Sequence, residues 1–540
     1  MVRDRPFSDL VDAYIDGRFA LDPVAATIAG IHDHDERLGD LTADGFAVRR
    51  AYVETWLERF AAHDEGTLSP TERTDRALLL ADLRGESALA GFARWRRQPS
   101  LYSNAVIRGA YYPLIREHAP LDDRLASIAA RLEAAPAALA AGMDNLDPDL
   151  VPPVWVVVAG EGATAAAAFV RAVLPSLAPE RSAAKRLLVG AGKRAGDALD
   201  SYSAWLRDDL MRRARGTFAV GRDTVDRLLR ERELVDHDAP TLRAFGERLY
   251  RDTEALLADA ARAQGHDDWR AAVDVQRRDH PAEDDLLATY RAEMERSREA
   301  VRTAGLATLS AGEELVVEEM PEFARPTLPY AAYVSPAPFE TARRGRFWVT
   351  LPAAGEPAGV REQRLEGHPR AGIPVIACHE GYPGHHVQLS IAADHPSPAR
   401  KVARSNLFIE GWGLYVEELM TELGYLDSPE TRLLRLKDLL WRAARVVVDV
   451  GLATGDMNFE QAVRFMIDGP RLERPAAVAE VRRYTLDPLQ ASSYALGRAA
   501  ILDLRGKARD AGWGMREFHD RLLAVGSLPP RLAGAELGLS

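Results

Sequence analysis

An apolar run, Ile373-Pro374-Val375-Ile376-Ala377-Cys378, opens directly onto His379-Glu380, and Gly381-Tyr382-Pro383-Gly384 separates that pair from His385-His386. Imidazole nitrogens suit Zn²⁺, and three protein ligands leave a fourth position for a water whose pKa falls to about 7. A glutamate beside the first ligand can take that water's proton. In the common His-Glu-x-x-His arrangement, positions i and i+4 stack on one helix face and both rings reach one ion. Here position i+4 from His379 is Pro383.

A regular helix cannot build such a site from these residues. At roughly 1.5 Å and 100° per residue, His385 stands about 9 Å along the axis and about 120° off the face of His379. His386 returns to that face about 10.5 Å away, too far for two nitrogens each about 2 Å from one zinc. Pro383 lacks a backbone donor and clashes with the carbonyl of His379, and Gly384 tolerates unusual dihedrals, so a break is expected between Tyr382 and His385. That break can return a later histidine to the i+4 place.

A third ligand is most economically supplied by the next helix. Residues 404–424 offer Glu410, Glu417 and Glu418. Glu410 sits among Phe408, Ile409 and Trp412, where an unpaired carboxylate is costly. Glu417 lies two turns further along the same face, placed to hold a histidine N–H from behind.

The segments His379-Glu380-Gly381-Tyr382-Pro383-Gly384-His385-His386-Val387-Gln388 and Glu410-Gly411-Trp412-Gly413-Leu414-Tyr415-Val416-Glu417 resemble the bacterial family catalogued as domain of unknown function 885. That resemblance implies a zinc-dependent peptidase, more distantly similar to the thermostable metallocarboxypeptidases and the neurolysin-like oligopeptidases, which are mostly helical with a deep channel. It further implies that His379, His385 and Glu410 are the metal ligands and Glu380 the general base. His386 is the rival to His385 as ligand and otherwise a candidate for substrate contact.

At 540 residues the chain exceeds what one compact core usually supports, so at least two lobes are expected. A formal net charge of −12 argues against a general nucleic-acid or anionic-membrane binder. Cys378 is the one cysteine, which excludes an intramolecular disulfide and fits a reducing compartment. The residue is expected to be buried packing, as free cysteines commonly are. The N-terminal residues lack a signal-peptide pattern and no run of eighteen apolar residues occurs, so a cytoplasmic protein with no membrane partner is expected. The oligomeric state is left open.

Residues 1–303 read as a lobe of amphipathic helices, with Ser8 capping the first. Further helical patterns cover 44–63, 71–97, 121–143, 163–212, 222–232, 239–263 and 282–303. Val154-Trp155-Val156-Val157-Val158 reads as a short buried strand, although so short an apolar run is ambiguous. His32 and His34 are read as solvated loop histidines rather than a metal pair. Asp208-Asp209 and Glu313-Glu314 are read as solvated surface rather than acid/base pairs.

Residues 304–540 read as the catalytic lobe. Leu315-Val316-Val317 and Gly345-Arg346-Phe347-Trp348-Val349-Thr350 look like strands between proline turns at Pro321, Pro326, Pro329, Pro336 and Pro338. The edge of such a sheet can pair with an extended peptide. In 429–453, Arg445 and Asp449 stand four apart and are expected to pair. The family pattern usually places a histidine where this chain has Ala453.

Residues 484–498 resemble the family's closing motif. A zinc hydrolase needs a donor for the oxyanion formed when water attacks a carbonyl, and Tyr494 is the candidate. Arg498, one turn on, can bind a substrate carboxylate through its fork of donors. The expectation is therefore a mostly α, metallopeptidase-like fold with a channel between helical lobes and a small β-sheet near the site. It is expected to hydrolyse a peptide or small amide, as a carboxypeptidase or oligopeptidase. A zinc hydrolase of a non-peptide amide or ester, and a helical binding protein with structural metal, are the alternatives.

Overall fold

A computed structural model describes residues 6–180, 182–321, 325, 328, 330–353 and 355–539. The chain is mostly helical: Ala43–Ala62, Leu121–Asn145, Arg222–Glu231 and Ala239–Ala263 fall within two residues of expectation, whereas the stretch read over 163–212 breaks after Ser176 and resumes at Ala183, and helix Ser100–Ile115 was not expected. Ser8 does not cap the first helix. Phe7–Leu21 begins at Pro6, without a side-chain cap.

The contacts divide the chain into a unit of residues 1–218 with 337–341, and a unit of residues 219–336 with 342–540. The expected boundary near 303 therefore lies well inside the second unit. Packing explains the difference. Helix Ala239–Ala263 lies so close to helix Pro429–Thr454 that a Cβ on Gly246 would stand 2.7 Å from Val446 Cβ. Leu257, Ala261 and Trp269 share a core with Leu433, Leu436 and Leu440. Composition changes near 304, but burial binds these earlier helices to the later ones.

In the N-terminal unit, Tyr14, Trp56 and Phe60 form an aromatic core, with the Tyr14 and Phe60 rings edge-on at 5.4 Å. The segment read as a strand at 154–158 is instead the start of helix Pro153–Ala168. Pro153 occupies the first helical position, where its fixed φ suits a helix, and the alanines that follow favour one. Pro153–Ser176 is long and apolar enough to cross a membrane by length and composition. Here Ala163, Ala166, Ala167 and Val170 are buried, and Gly192 of helix Ala183–Trp205 meets the Val170 backbone so closely that a Cβ would stand 2.3 Å from its carbonyl oxygen.

In the second unit a three-stranded sheet underlies the site. Strands β1 (Glu314–Glu319), β2 (Ala331–Val334) and β3 (Arg344–Val349) lie in the order β1-β3-β2, with β1 parallel and β2 antiparallel to β3. Two of the strands were legible from β-branched and aromatic runs. β2, only four residues long, was not. The turns read at Pro326 and Pro329 lie outside the described residues. Val317, Phe347 and Val349 of the sheet pack with Tyr290 and Met294 against Ile373 and Ala377. Each such side chain, fully buried, contributes about 1.5–3 kcal/mol, which fixes the helix carrying His379 on the sheet.

Candidate metal centre

Helix Ile373–Glu380 stops at Gly381, and helix His385–Asp394 starts four residues later. The break falls where Pro383 and Gly384 require it. A Cβ on Gly384 would stand 1.8 Å from the His379 carbonyl oxygen and 2.3 Å from that of Cys378, so only glycine lets the chain fold back this tightly. Trp412 Nε1 donates to the Pro383 carbonyl at 2.9 Å and fastens the turn to helix Asn406–Glu422.

The turn brings His379 and His385 together, with ring centroids 4.7 Å apart and planes at 86°. His379, Glu380 and His385 each offer a donor atom within 4.8 Å of the others. A Cβ on Gly413 would lie 2.7 Å from His379 Nε2 and 3.0 Å from His385 Cε1, so a glycine on the facing helix leaves the two imidazoles their space. Behind the cluster, His379 Nδ1 donates to Glu417 Oε1 at 2.8 Å. The expected outer partner of a histidine is therefore in place, and Nε2 is left with its lone pair facing the cluster.

Two carboxylates stand next to these rings. Glu410 Oε2 lies 3.3 Å from His385 Nε2, while its Oε1 accepts from Gln490 Nε2 at 3.2 Å. Burial opposes charge on Glu410, but His385 and His379 outweigh it and hold its pKa down at about 2. Burial likewise opposes charge on His385, yet Glu410, Glu380 and Glu417 raise its pKa above the ordinary value. The Glu380 carboxylate lines the cavity and has no hydrogen-bond partner among the described residues. Glu410 is thus a fixed, ionised oxygen donor, whereas Glu380 faces the cavity without a hydrogen-bond partner among the described residues. Cys378 is fully buried, and burial pushes its thiol pKa well up.

The residues present fit a zinc ion. Two ligands each about 2 Å from a tetrahedral ion stand roughly 3.3 Å apart, which matches the separation of His385 Nε2 and Glu410 Oε2. Among the described residues, the buried Nδ1 of His385 and Oε2 of Glu417 have no hydrogen-bond partner. Histidine nitrogens and carboxylate oxygens are the donor set that zinc takes in catalytic sites.

The other expected site residues divide. Tyr494 lines the same cavity, with its ring stacked 6.2 Å from that of His379 and the Arg445 guanidinium 4.6 Å above it. Burial, followed by the Glu410 charge, raises its pKa, so the phenol stays a donor. His386 does not reach the cavity. It is fully buried, bonded through Nε2 to Glu313 at 2.7 Å and through Nδ1 to the Tyr333 hydroxyl at 3.0 Å. Arg498 also points elsewhere, its Nε donating to Glu418 at 2.8 Å.

Three further readings change. Glu313 is a buried anchor rather than solvated surface: it accepts from His386, from Tyr382 at 2.5 Å and from Arg298 at 2.7 Å. Burial works against its charge, but these partners keep its pKa below the usual range. Arg445 and Asp449 do not pair. Arg445 donates to the Tyr484 hydroxyl at 2.8 Å and to Glu480 at 3.0 Å, which are buried with it. Asp449 instead accepts from the Ser492 backbone at 2.8 Å, the Ser492 hydroxyl at 2.7 Å and the Leu489 backbone at 3.1 Å. Sequence reasoning missed Gln490, which receives Arg483 on its oxygen at 2.8 Å and passes its N–H to Glu410. No spacing rule singles out a lone glutamine in a turn.

Asp449 holds the turn that delivers Gln490 and starts the helix of Tyr494. Burial raises its pKa to about 6, more than its three donors lower it. An acid with a raised folded-state pKa contributes stability that is present below its unfolded value and lost as pH rises through the folded one. Asp449→Asn is therefore expected to remove a fall in unfolding free energy between about pH 4 and 6. Asp449→Ala, which orphans all three donors, is expected to cost roughly 2–4 kcal/mol at every pH. Chemical denaturation across that pH range checks both.

This arrangement defines a mostly helical protein with a buried histidine–glutamate cluster between a kinked helix and its neighbour. Residues 23–537 match the family of bacterial proteins of unknown function called DUF885, and the chain belongs to that family. Two solved structures share the fold. A candidate lipoprotein of unknown function from Shewanella oneidensis aligns at 24% identity and TM-score 0.79, covering 99% of this chain and 100% of its own. A candidate lipoprotein from Colwellia psychrerythraea aligns at 18% identity and TM-score 0.83, covering 98% of each. No curated protein matches the chain.

Proposed function

We propose that the protein is a zinc-dependent hydrolase of peptide bonds. The observation that carries this reading is the convergence of His379, His385 and Glu410 beside a Glu380 carboxylate that has no structural partner among the described residues, in one cavity. His379, His385 and Glu410 would hold Zn²⁺, which would supply Lewis acidity for the water that attacks the scissile carbonyl. Glu380 accepts the water's proton and returns it to the leaving amine. The Tyr494 hydroxyl donates to the oxygen that becomes negative as the carbonyl is attacked. Arg445, charged and buried against the Tyr494 ring, adds a positive field on the same side.

Strand β2 favours a peptide over other amides and esters. Among the described residues it is an edge strand, and Ala331, Ala332 and Tyr333 line the cavity of about 400 Å³ together with His379 and Glu380. An extended substrate can add to that edge as a further strand, taking its backbone bonds from β2 and its side-chain pockets from the cavity wall. The metallopeptidase-like architecture, with this cavity as its substrate channel, belongs to the same proposal. So do the absence of nucleic-acid and membrane partners, in keeping with the net charge of −12, and a cytoplasmic location, in keeping with the single buried thiol. The solved relatives, described as candidate lipoproteins, supply the rival location at the cell envelope, and fractionation of cells expressing the tagged chain separates the two.

The test is mass spectrometry of a mixed peptide library incubated with the zinc-loaded protein. New fragments are expected, and their termini read out exo- or endo-action. An unchanged library with zinc bound would overturn the peptidase reading.

A further inference from the structure

A second cluster lies in the N-terminal unit. His32, Asp35 and His118 each offer a donor atom within 4.8 Å of the others. Two come from the loop after helix Pro23–Ala29, and the third follows helix Ser100–Ile115. His32 Nδ1 lies 2.8 Å from Asp35 Oδ2, and His118 Nε2 lies 3.4 Å from the same oxygen. The two rings stack face to face, with centroids 3.3 Å apart and planes 7° from parallel.

The far nitrogen of each ring is already engaged. His118 Nδ1 is 3.2 Å from the Arg116 carbonyl oxygen, and His32 Nε2 is 3.1 Å from Glu340 Oε1. A carbonyl and a carboxylate only accept, so both far nitrogens carry the proton. Neutral rings then turn two lone pairs toward one carboxylate oxygen, an arrangement that repels unless a cation sits among them. A single proton on His32 satisfies only the 2.8 Å contact and leaves the His118 Nε2 lone pair turned on the same oxygen at 3.4 Å, whereas charging both rings sets two imidazolium rings against each other at 3.3 Å. Arg131 already stands 3.6 Å from the other Asp35 oxygen, which also accepts from Thr27.

We propose that His32, Asp35 and His118 form a second divalent-cation site, of the kind that takes zinc, with Glu340 and the Arg116 carbonyl orienting the two imidazoles. Two nitrogens and a carboxylate oxygen are a zinc donor set. The separations of 2.8 and 3.4 Å bracket the roughly 3.3 Å expected between ligands of a tetrahedral ion. Metal-bound histidines usually give their other N–H to a carboxylate or a backbone carbonyl, and both do so here. His118 is an exposed residue, which provides the ion with an entry path and leaves a position for water. Such an ion ties the loop at 32–35 to the end of helix Ser100–Ile115. Through Glu340 it also reaches the segment 337–341, whose Phe339 N–H donates to the Ala29 carbonyl at 3.0 Å.

This site uses none of the residues around His379, so its test does not depend on the reading of that cluster. The full chain, His118→Ala, His379→Ala and the double variant are loaded with Zn²⁺, freed of excess by gel filtration and counted by inductively coupled plasma mass spectrometry. His118→Ala is expected to hold one equivalent fewer than its parent in both backgrounds. Equal zinc content with and without His118 in both backgrounds would overturn the proposal. A chelator competition on His379→Ala gives a second readout: Glu340→Gln should weaken the remaining zinc ten- to a hundredfold, by loosening the His32 ring. Unchanged competition in that variant would remove Glu340 from the site.

Discussion

Glu380→Gln is expected to keep its zinc and to lose peptide turnover by on the order of 10³- to 10⁴-fold, the range of a lost general base. Glutamine preserves the size of the side chain and most of its polarity, so packing against the cavity wall is unchanged. What it lacks is the ability to take a proton near neutral pH. Metal retention follows from the division between the two carboxylates. Glu410 is fixed by Gln490 and stands 3.3 Å from His385 Nε2, whereas the Glu380 carboxylate has no hydrogen-bond partner among the described residues. Glu410→Gln should therefore do the reverse, weakening zinc binding before it touches the chemistry. Parallel metal analysis and single-turnover cleavage of a defined peptide distinguish the two. Loss of zinc from the Glu380 variant would make Glu380 a ligand and end its role as the base.

The contrast between what was and was not legible follows from how local each feature is. The need for a break at 381–384 could be read from helix geometry and one proline, because both act over a single turn. The choice between His385 and His386 could not, because a break resets the helical phase by an amount that depends on its dihedrals. The structure turns His385 toward His379 and buries His386 against Glu313 and Tyr333. Glu313 was misread for a similar reason. In the pair Glu313-Glu314, the second residue is exposed on β1 and pairs with Arg344, while the first lies just before the strand and turns inward. Nothing in two adjacent glutamates says which faces in. Long-range partners were the hardest to see: Asp449 serves a turn some forty residues later, and the i,i+4 rule that suggested Arg445 describes exposed helix faces rather than this buried one. Helices 239–263 and 429–454 show the converse. Their extents followed from periodicity, yet their mutual packing, which moves the boundary between units, is written in no single segment.

The turn itself supplies the other large effect. Gly384→Ala places a Cβ 1.8 Å from the His379 carbonyl oxygen, 2.3 Å from that of Cys378 and 2.4 Å from the His379 carbonyl carbon. All three are backbone atoms, so no side-chain rotation relieves the contact and the two helices must separate. Separation pulls His385 away from His379 and strains the bond from Trp412 Nε1 to the Pro383 carbonyl. The clash is confined to one turn of a protein whose helices rest on many other contacts, so the fold should survive with a loss of about 3 kcal/mol. Zinc affinity should fall at least a hundredfold, because a ligand displaced by an ångström no longer reaches the ion. Gly359→Ala is the control: no atom lies within 4 Å of its Cβ, it is the second residue of helix Ala358–Leu365, and alanine there should change stability by no more than about 0.5 kcal/mol. Calorimetry of zinc binding beside denaturant unfolding separates local loss of the site from general loss of fold. Wild-type zinc affinity in Gly384→Ala would mean that the ligands do not depend on this tight return of the chain, and the geometric basis of the centre would have to be sought elsewhere.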